Sequence, residues 1–165
     1  MVKVKAKPNN NKSNVLVNIL KFLYNEYVYG GHIAGTALLA MVLTFGYIDG
    51  DYLDLPLLLI AYFVPLVVYS YDHYRDIESD KITNPTRVEY LEKKSTYYRY
   101  IIGTYIAILL LLIFFGGQEI VEMLAFIIII VGGGLLYAAS FKNFTKYIPA
   151  YKNIYVSVEW ALAAT

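Results

Sequence analysis

Long uncharged stretches separated by short charged ones set the pattern of this chain. Residues 31–48, 55–71, 101–117 and 123–141 carry no Asp, Glu, Lys or Arg and are dominated by Leu, Ile, Val, Phe and Ala. A helix that spans a bilayer needs about 20 mostly apolar residues, with a range near 17–25. With their flanks, the four stretches predict spans at about 31–48, 55–71, 99–117 and 121–141. From Asn153 the sequence reads NIYVSVEWALAAT, the start of a fifth apolar helix at 153–165. At about 1.5 Å per residue that segment is too short to cross. It reads either as a half-span or as the start of a span belonging to a longer protein, and the second reading is the expectation. The fold class predicted is all-α: a polytopic transmembrane helical bundle of four full spans plus the start of a fifth.

The first 13 residues, MVKVKAKPNNNKS, read as a flexible basic tail, and 14–165 as the transmembrane domain. Within 14–29, Asn14, Asn18, Lys21 and Asn25 recur at helical spacing among Val, Leu, Ile and Phe. The stripe suggests an interfacial amphipathic helix, or else an extended start of the first span. Gly31-His-Ile-Ala-Gly35 is a GxxxG step, and Gly132-Gly133-Gly134 is expected to interrupt the fourth span. Small residues let helix backbones approach closely in lipid, so packing is the expected role of both. His32 lies near the end of its span, where a hydrogen bond to a neighbour is the expectation. Pro56 suits the first turn of the second span, and Pro65 inside it is expected to kink the helix.

Composition narrows the class. Of the 165 residues, 58% are hydrophobic and 16% charged, against about a quarter charged in soluble domains. An ordinary soluble domain and a disordered chain are both disfavoured. The net charge of +1 hides an asymmetry: all 14 Lys and Arg residues fall on one side of the predicted membrane. The opposite loops carry Asp49, Asp51 and Asp54, or Glu119 and Glu122. The positive-inside rule then makes the N-terminus and both basic loops cytoplasmic, in a multi-pass protein of the cell membrane. The absence of cysteine excludes disulfides and thiolate chemistry. The 18 tyrosines suit membrane interfaces. No phosphate-binding glycine loop and no Ser/His/Asp arrangement is present, and nucleic-acid binding has no support.

The second span runs into Asp72-His-Tyr-Arg-Asp76-Ile-Glu-Ser-Asp80, which places Asp72, Asp76 and Asp80 on one helix face. Like charges in that register repel, and neither Arg75 nor Lys81 sits squarely within the ladder. One reading is a solvated face of a loop helix, since Arg75, Glu78 and Lys81 are interleaved. The other is a cation site, because carboxylate oxygens suit Mg²⁺, usually held by one or two carboxylates together with phosphate oxygens. Position at the membrane mouth favours the second. His73 is read as a neighbour rather than a ligand. Beyond the ladder, Asn84-Pro85 should end the helix, and Arg87 returns a positive charge near the carboxylates. The next basic loop adds Lys142 and Lys146 after Tyr137. Acids that hold Mg²⁺ with basic groups around them suit a diphosphate.

The stretch DHYRDIESDKITNPTR resembles the first aspartate-rich motif, NxxxDxxxD, of the UbiA superfamily of intramembrane prenyltransferases, and it follows the second predicted span as that motif does. YGGH at 29–32, the region from Tyr137 to Lys142 and KNIYVS at 152–157 extend the resemblance. The resemblance implies a fold of about nine transmembrane helices, of which this chain would be the N-terminal half. It implies an Mg²⁺-dependent transfer of a prenyl group from an allylic prenyl diphosphate to an aromatic or lipid acceptor. On that reading Asp76 and Asp80 hold metal, with Asp72 at the usual asparagine position. Arg87, Lys142 and Lys146 contact diphosphate, and Tyr137 either lines the pocket or packs. An Arg-Pro near the start of the first span, common in the family, is absent, as is a second aspartate-rich motif. The chain alone is therefore expected to be inactive without the remaining half of the site. The competing reading is a small non-catalytic membrane protein whose ladder binds cations or a partner's basic loop.

Overall fold

The structure, a computed structural model, describes residues 11–50, 53–141, 147–148 and 150–164. Among them it is all-helical, with no strand. α1 is Asn11–Tyr29, α2 His32–Asp49, α3 Leu55–Thr83 and α4 Pro85–Glu92. A short 3₁₀ turn, Ser95–Tyr97, leads into α5, Tyr98–Phe115. α6 is Gly117–Glu122, α7 Leu124–Ala139 and α8 Tyr151–Ala164.

The boundaries follow from local chemistry. Gly31, at φ 90°, sits between α1 and α2 in the left-handed region that favours glycine. α1 is therefore a separate helix, and the reading as an extended start of the first span is set aside. Gly50, at φ 76°, closes α2 by donating its N–H to Gly46 O. Asp54 caps α3 by accepting from Leu57 N at 2.9 Å, with Pro56 in the first turn. Asn84-Pro85 ends α3 and starts α4, because Pro85 disfavours helical backbone at Asn84 and suits a first helical turn.

α2, α3 and Ser95–Phe115 are long and apolar enough to cross a membrane, with mean hydropathies of 1.4, 1.6 and 2.0. α7 is apolar but shorter, at 16 residues. α3 is the centre of the bundle. It buries Ile60, Ala61, Val64, Leu66, Val67 and Ser70, and it continues through Pro65. Ile60, Val64, Leu109, Ile120 and Ile127 form a core at one end. At the other end the Tyr74 and Tyr98 rings stack at 5.4 Å. α7 therefore runs parallel to α3, and α2 and α5 antiparallel to it. Gly50, Leu53, Asp54 and segment 116–123 share one end of the bundle, while the Gly30-Gly31 turn, the end of α3 and α4 share the other.

Glycine lets backbones meet at two places. A Cβ on Gly35 would stand 2.7 Å from Tyr62 O, so α2 and α3 touch through the first glycine step. The glycine triplet does not interrupt α7, contrary to the sequence expectation, since a helical glycine costs only about 1 kcal/mol relative to Ala. A Cβ on Gly134 would stand 2.7 Å from Val68 Cγ1, whereas one on Gly132 would meet open space. Gly134→Ala is expected to destabilise the bundle by about 1 kcal/mol through overpacking. Gly132→Ala is expected to leave it unchanged or slightly more stable. Reversible unfolding in mixed micelles separates the two, and equal shifts would contradict the close approach of α7 to α3.

Candidate functional site

Beyond Ser70, α3 leaves the packed core and carries the aspartate ladder, with successive carboxylates about 6 Å apart along the axis. Asp72, Asp76 and Asp80 are all half-buried, while the interleaved Arg75, Glu78 and Ser79 are exposed. The ladder therefore faces inward, which argues against a fully solvated face. α4 folds back beside it and buries Val88 and Leu91. That return delivers Arg87, whose Nη2 donates to Asp80 Oδ2. Both side chains are largely enclosed, at 19% and 16% exposure.

The positive charge at Asp80 is thus Arg87. Arg75 instead lies over the Tyr71 ring at 6.0 Å. Lys81 pairs with Glu78 at 2.9 Å and Glu92 at 3.5 Å. Those carboxylates raise the Lys81 pKa, the Glu78 hydrogen bond most of all. His73 Nδ1 lies 3.1 Å from Tyr29 O, tying α3 to α1.

Tyr137 comes to the same end of the bundle, at the last turn of α7. Its ring stacks on Tyr155 at 4.7 Å and 19°, and its hydroxyl lies within electrostatic range of Asp72. Two buried donors at this end, Arg87 Nε and Tyr137 OH, have no hydrogen-bond partner among the described residues. Lys142 and Lys146 lie outside the described residues.

Among the described residues, no three His, Asp or Glu side chains converge as a self-sufficient metal site. The donor chemistry suits a hard cation that draws its remaining ligands from phosphate oxygens and water. The unmet Arg87 Nε–H suits an anion at the same place. A mostly apolar cavity of about 460 Å³ runs from the middle of the bundle towards the end away from the ladder, lined by Leu38, Phe45, Leu57, Val64 and Phe126 and, near that end, by Asp49. Its Val64 wall is eight residues along α3 from Asp72, or about 12 Å.

Two acids not singled out from the sequence are structurally prominent. Glu26, the first acid in the chain and the sole one before Asp49, accepts from Tyr90 OH and Lys94 Nζ. His32 Nε2 stands 3.8 Å from it. His32, Lys94 and Tyr90 hold the Glu26 carboxyl down at about 2, against the desolvation that opposes them. His32 Nδ1 meets Tyr62 OH at 2.6 Å, the neighbour bond expected of it. Glu159, the sole acid after Glu122, sits half-buried in α8 against Gly133, whose missing side chain makes room for it. Tyr155 OH donates to Gly133 O at 2.9 Å beside it. The isolation of each acid in a long acid-free stretch was the signal available in the sequence.

The chain matches no protein-family model, no curated protein and no solved structure. Among the described residues, fold and site define an all-helical bundle with three helices long and apolar enough to span a membrane and an inward-facing acidic ladder at one end.

Proposed function

We propose that this chain is part of an integral membrane prenyltransferase of the UbiA type. It would move a prenyl group from an allylic prenyl diphosphate to an aromatic or lipid acceptor, with the ladder on the cytoplasmic side. The observation that carries the reading is the inward turn of the ladder at the end of an apolar bundle, with Arg87 beside Asp80. The mostly apolar cavity that runs from Val64 away from the ladder would give a prenyl tail room to extend.

In this reading Asp76 and Asp80 would hold Mg²⁺, with Asp72 beside them, and the ion would supply Lewis-acid neutralisation of the diphosphate. Arg87, joined by Lys142 and Lys146, stabilises the charge that grows on the departing diphosphate as the allylic C–O bond breaks. The bonding pair leaves with the diphosphate oxygen. The acceptor attacks the allylic carbon and then loses a proton. Tyr137 would help to line the pocket. The reading also requires a second set of carboxylates, supplied by further chain or by another polypeptide.

Binding of farnesyl thiodiphosphate, an analogue that ionises poorly, tests the proposal. With the second set of carboxylates present, the protein in micelles should retain it with Mg²⁺ and release it on chelation with EDTA. Retention by that complete site unaffected by EDTA, or no retention by it at all, would sink the enzyme reading. The non-catalytic reading draws support from one observation: Asp80 is already paired with an arginine of its own chain. It predicts cation binding that is indifferent to diphosphates.

A further inference from the structure

Among the described residues, the contacts of α1 with the bundle lie in its C-terminal half, from Phe22, over whose ring Lys94 Nζ stands at 5.8 Å, to Tyr29. Glu26 is tied to Tyr90 and Lys94, and Tyr29 O meets His73 Nδ1 at 3.1 Å. Gly31 follows against Tyr69 and Ser70. These contacts lie where α3 changes from apolar core to aspartate ladder. α1 therefore leaves the bundle at the ladder end of α3.

From residue 15 to 24 every side chain of α1 is exposed. Leu16, Ile19, Leu20, Phe22 and Leu23 each show at least half of their surface. Between residues 15 and 25, Asn18, Lys21 and Asn25 form a narrow polar stripe among Val, Leu, Ile, Phe and Tyr. A contiguous exposed apolar surface of this kind marks an interaction site.

Charge identifies the occupant. Lys3, Lys5, Lys7, Lys12 and Lys21 all precede the first acid, Glu26. Five of the chain's 14 basic residues and none of its 13 acids thus fall in the first 25 positions. An apolar helix combined with a polybasic segment is the two-signal arrangement that binds anionic membrane surfaces. We propose that α1 lies on the bilayer surface and, with the excess of lysine before Glu26 in the sequence, selects anionic phospholipid headgroups. The apolar side chains enter the headgroup–acyl boundary, Lys21 faces the lipid phosphates, and the Glu26 contacts fix the inner end of the helix. The proposal does not depend on the prenyltransferase reading.

The cysteine-free sequence allows a direct test. Leu20→Cys, on the apolar face, and Asn18→Cys, on the polar stripe, are labelled with the environment-sensitive fluorophore NBD. Both positions are exposed, so folding is not at stake, and circular dichroism checks it. The labelled protein is reconstituted into phosphatidylcholine vesicles with or without phosphatidylglycerol. The Leu20 label should emit further to the blue than the Asn18 label when phosphatidylglycerol is present. It should move back towards the emission in water in phosphatidylcholine alone, or when the five lysines are replaced by Gln. A Leu20 label equally shielded in both lipids would overturn the proposal in favour of cover by protein or by charge-indifferent lipid. A label that stays water-exposed in both would overturn it outright.

Discussion

Asp76→Asn is expected to lower Mg²⁺-dependent diphosphate release from an allylic prenyl diphosphate by at least about a hundredfold, the scale of losing one preorganised electrostatic contact to a transition state. Asp80→Asn is expected to do the same and also to weaken the fold. Amide for carboxylate preserves shape and removes the negative charge that holds a hard cation. The two positions differ because Asp80 also accepts from Arg87, whose side chain is only 19% exposed. With Asp80 neutral, a largely enclosed guanidinium loses its counter-charge, at about 1.5–3 kcal/mol for a hydrogen bond between charged groups. Arg87→Gln separates the roles further. It should spare Mg²⁺ binding while reducing diphosphate release, because the lost group contacts the anion. Pyrophosphate release by the complete protein in vesicles reads the chemistry, and unfolding in mixed micelles reads the stability. Unchanged turnover in both aspartate variants would remove the metal assignment. Loss of turnover only in the variant that unfolds would reduce Asp80 to a structural partner of Arg87.

The same aspartates mark how far sequence alone reaches. Spacing puts Asp72, Asp76 and Asp80 on one face, but it does not say which way that face turns. Arg75, Glu78 and Lys81 interleave with them and made a solvated face equally readable. The packing of α4 against α3 decides the matter, since it buries Leu91 and carries Arg87 to Asp80. Helix ends were legible because they rest on neighbours in sequence: Asp54 three residues before the N–H it caps, and Asn84 before Pro85. The packing role of the glycine triplet is legible in the sequence, but the continuity of the helix through it is not, because a glycine has two opposed effects in a helix. It weakens the helix and permits close approach, and the side chain of Val68 across from Gly134 determines the outcome. Glu26 and Lys94 are 68 positions apart, and no local pattern links them.

That long-range pair gives the second large effect. Glu26→Ala is expected to destabilise the protein by about 2 kcal/mol, between the ~0.5 of an exposed pair and the ~4 of breaking a buried one. The carboxylate is 23% exposed and Lys94 21%, so truncation leaves an ammonium largely enclosed without its counter-charge. Tyr90 loses its acceptor, and α1 loses its main polar tie to α4 and to the segment that follows it. Acid should act on the same contact. The Glu26 carboxyl is held at about 2 in the fold, against an ordinary value of 4.5. Its stabilisation is therefore complete above the ordinary value and lost as pH falls through about 2. Glu89 also has its carboxyl lowered, by Lys93, so the wild-type curve alone mixes several groups. Comparison with Glu26→Gln, which cannot ionise, isolates this one. The stability difference between wild type and variant should be full at about pH 6 and clearly smaller at about pH 3. A difference that stays constant between those values would mean that charge at Glu26 does not hold α1, leaving the apolar contacts of its last turn as the tie.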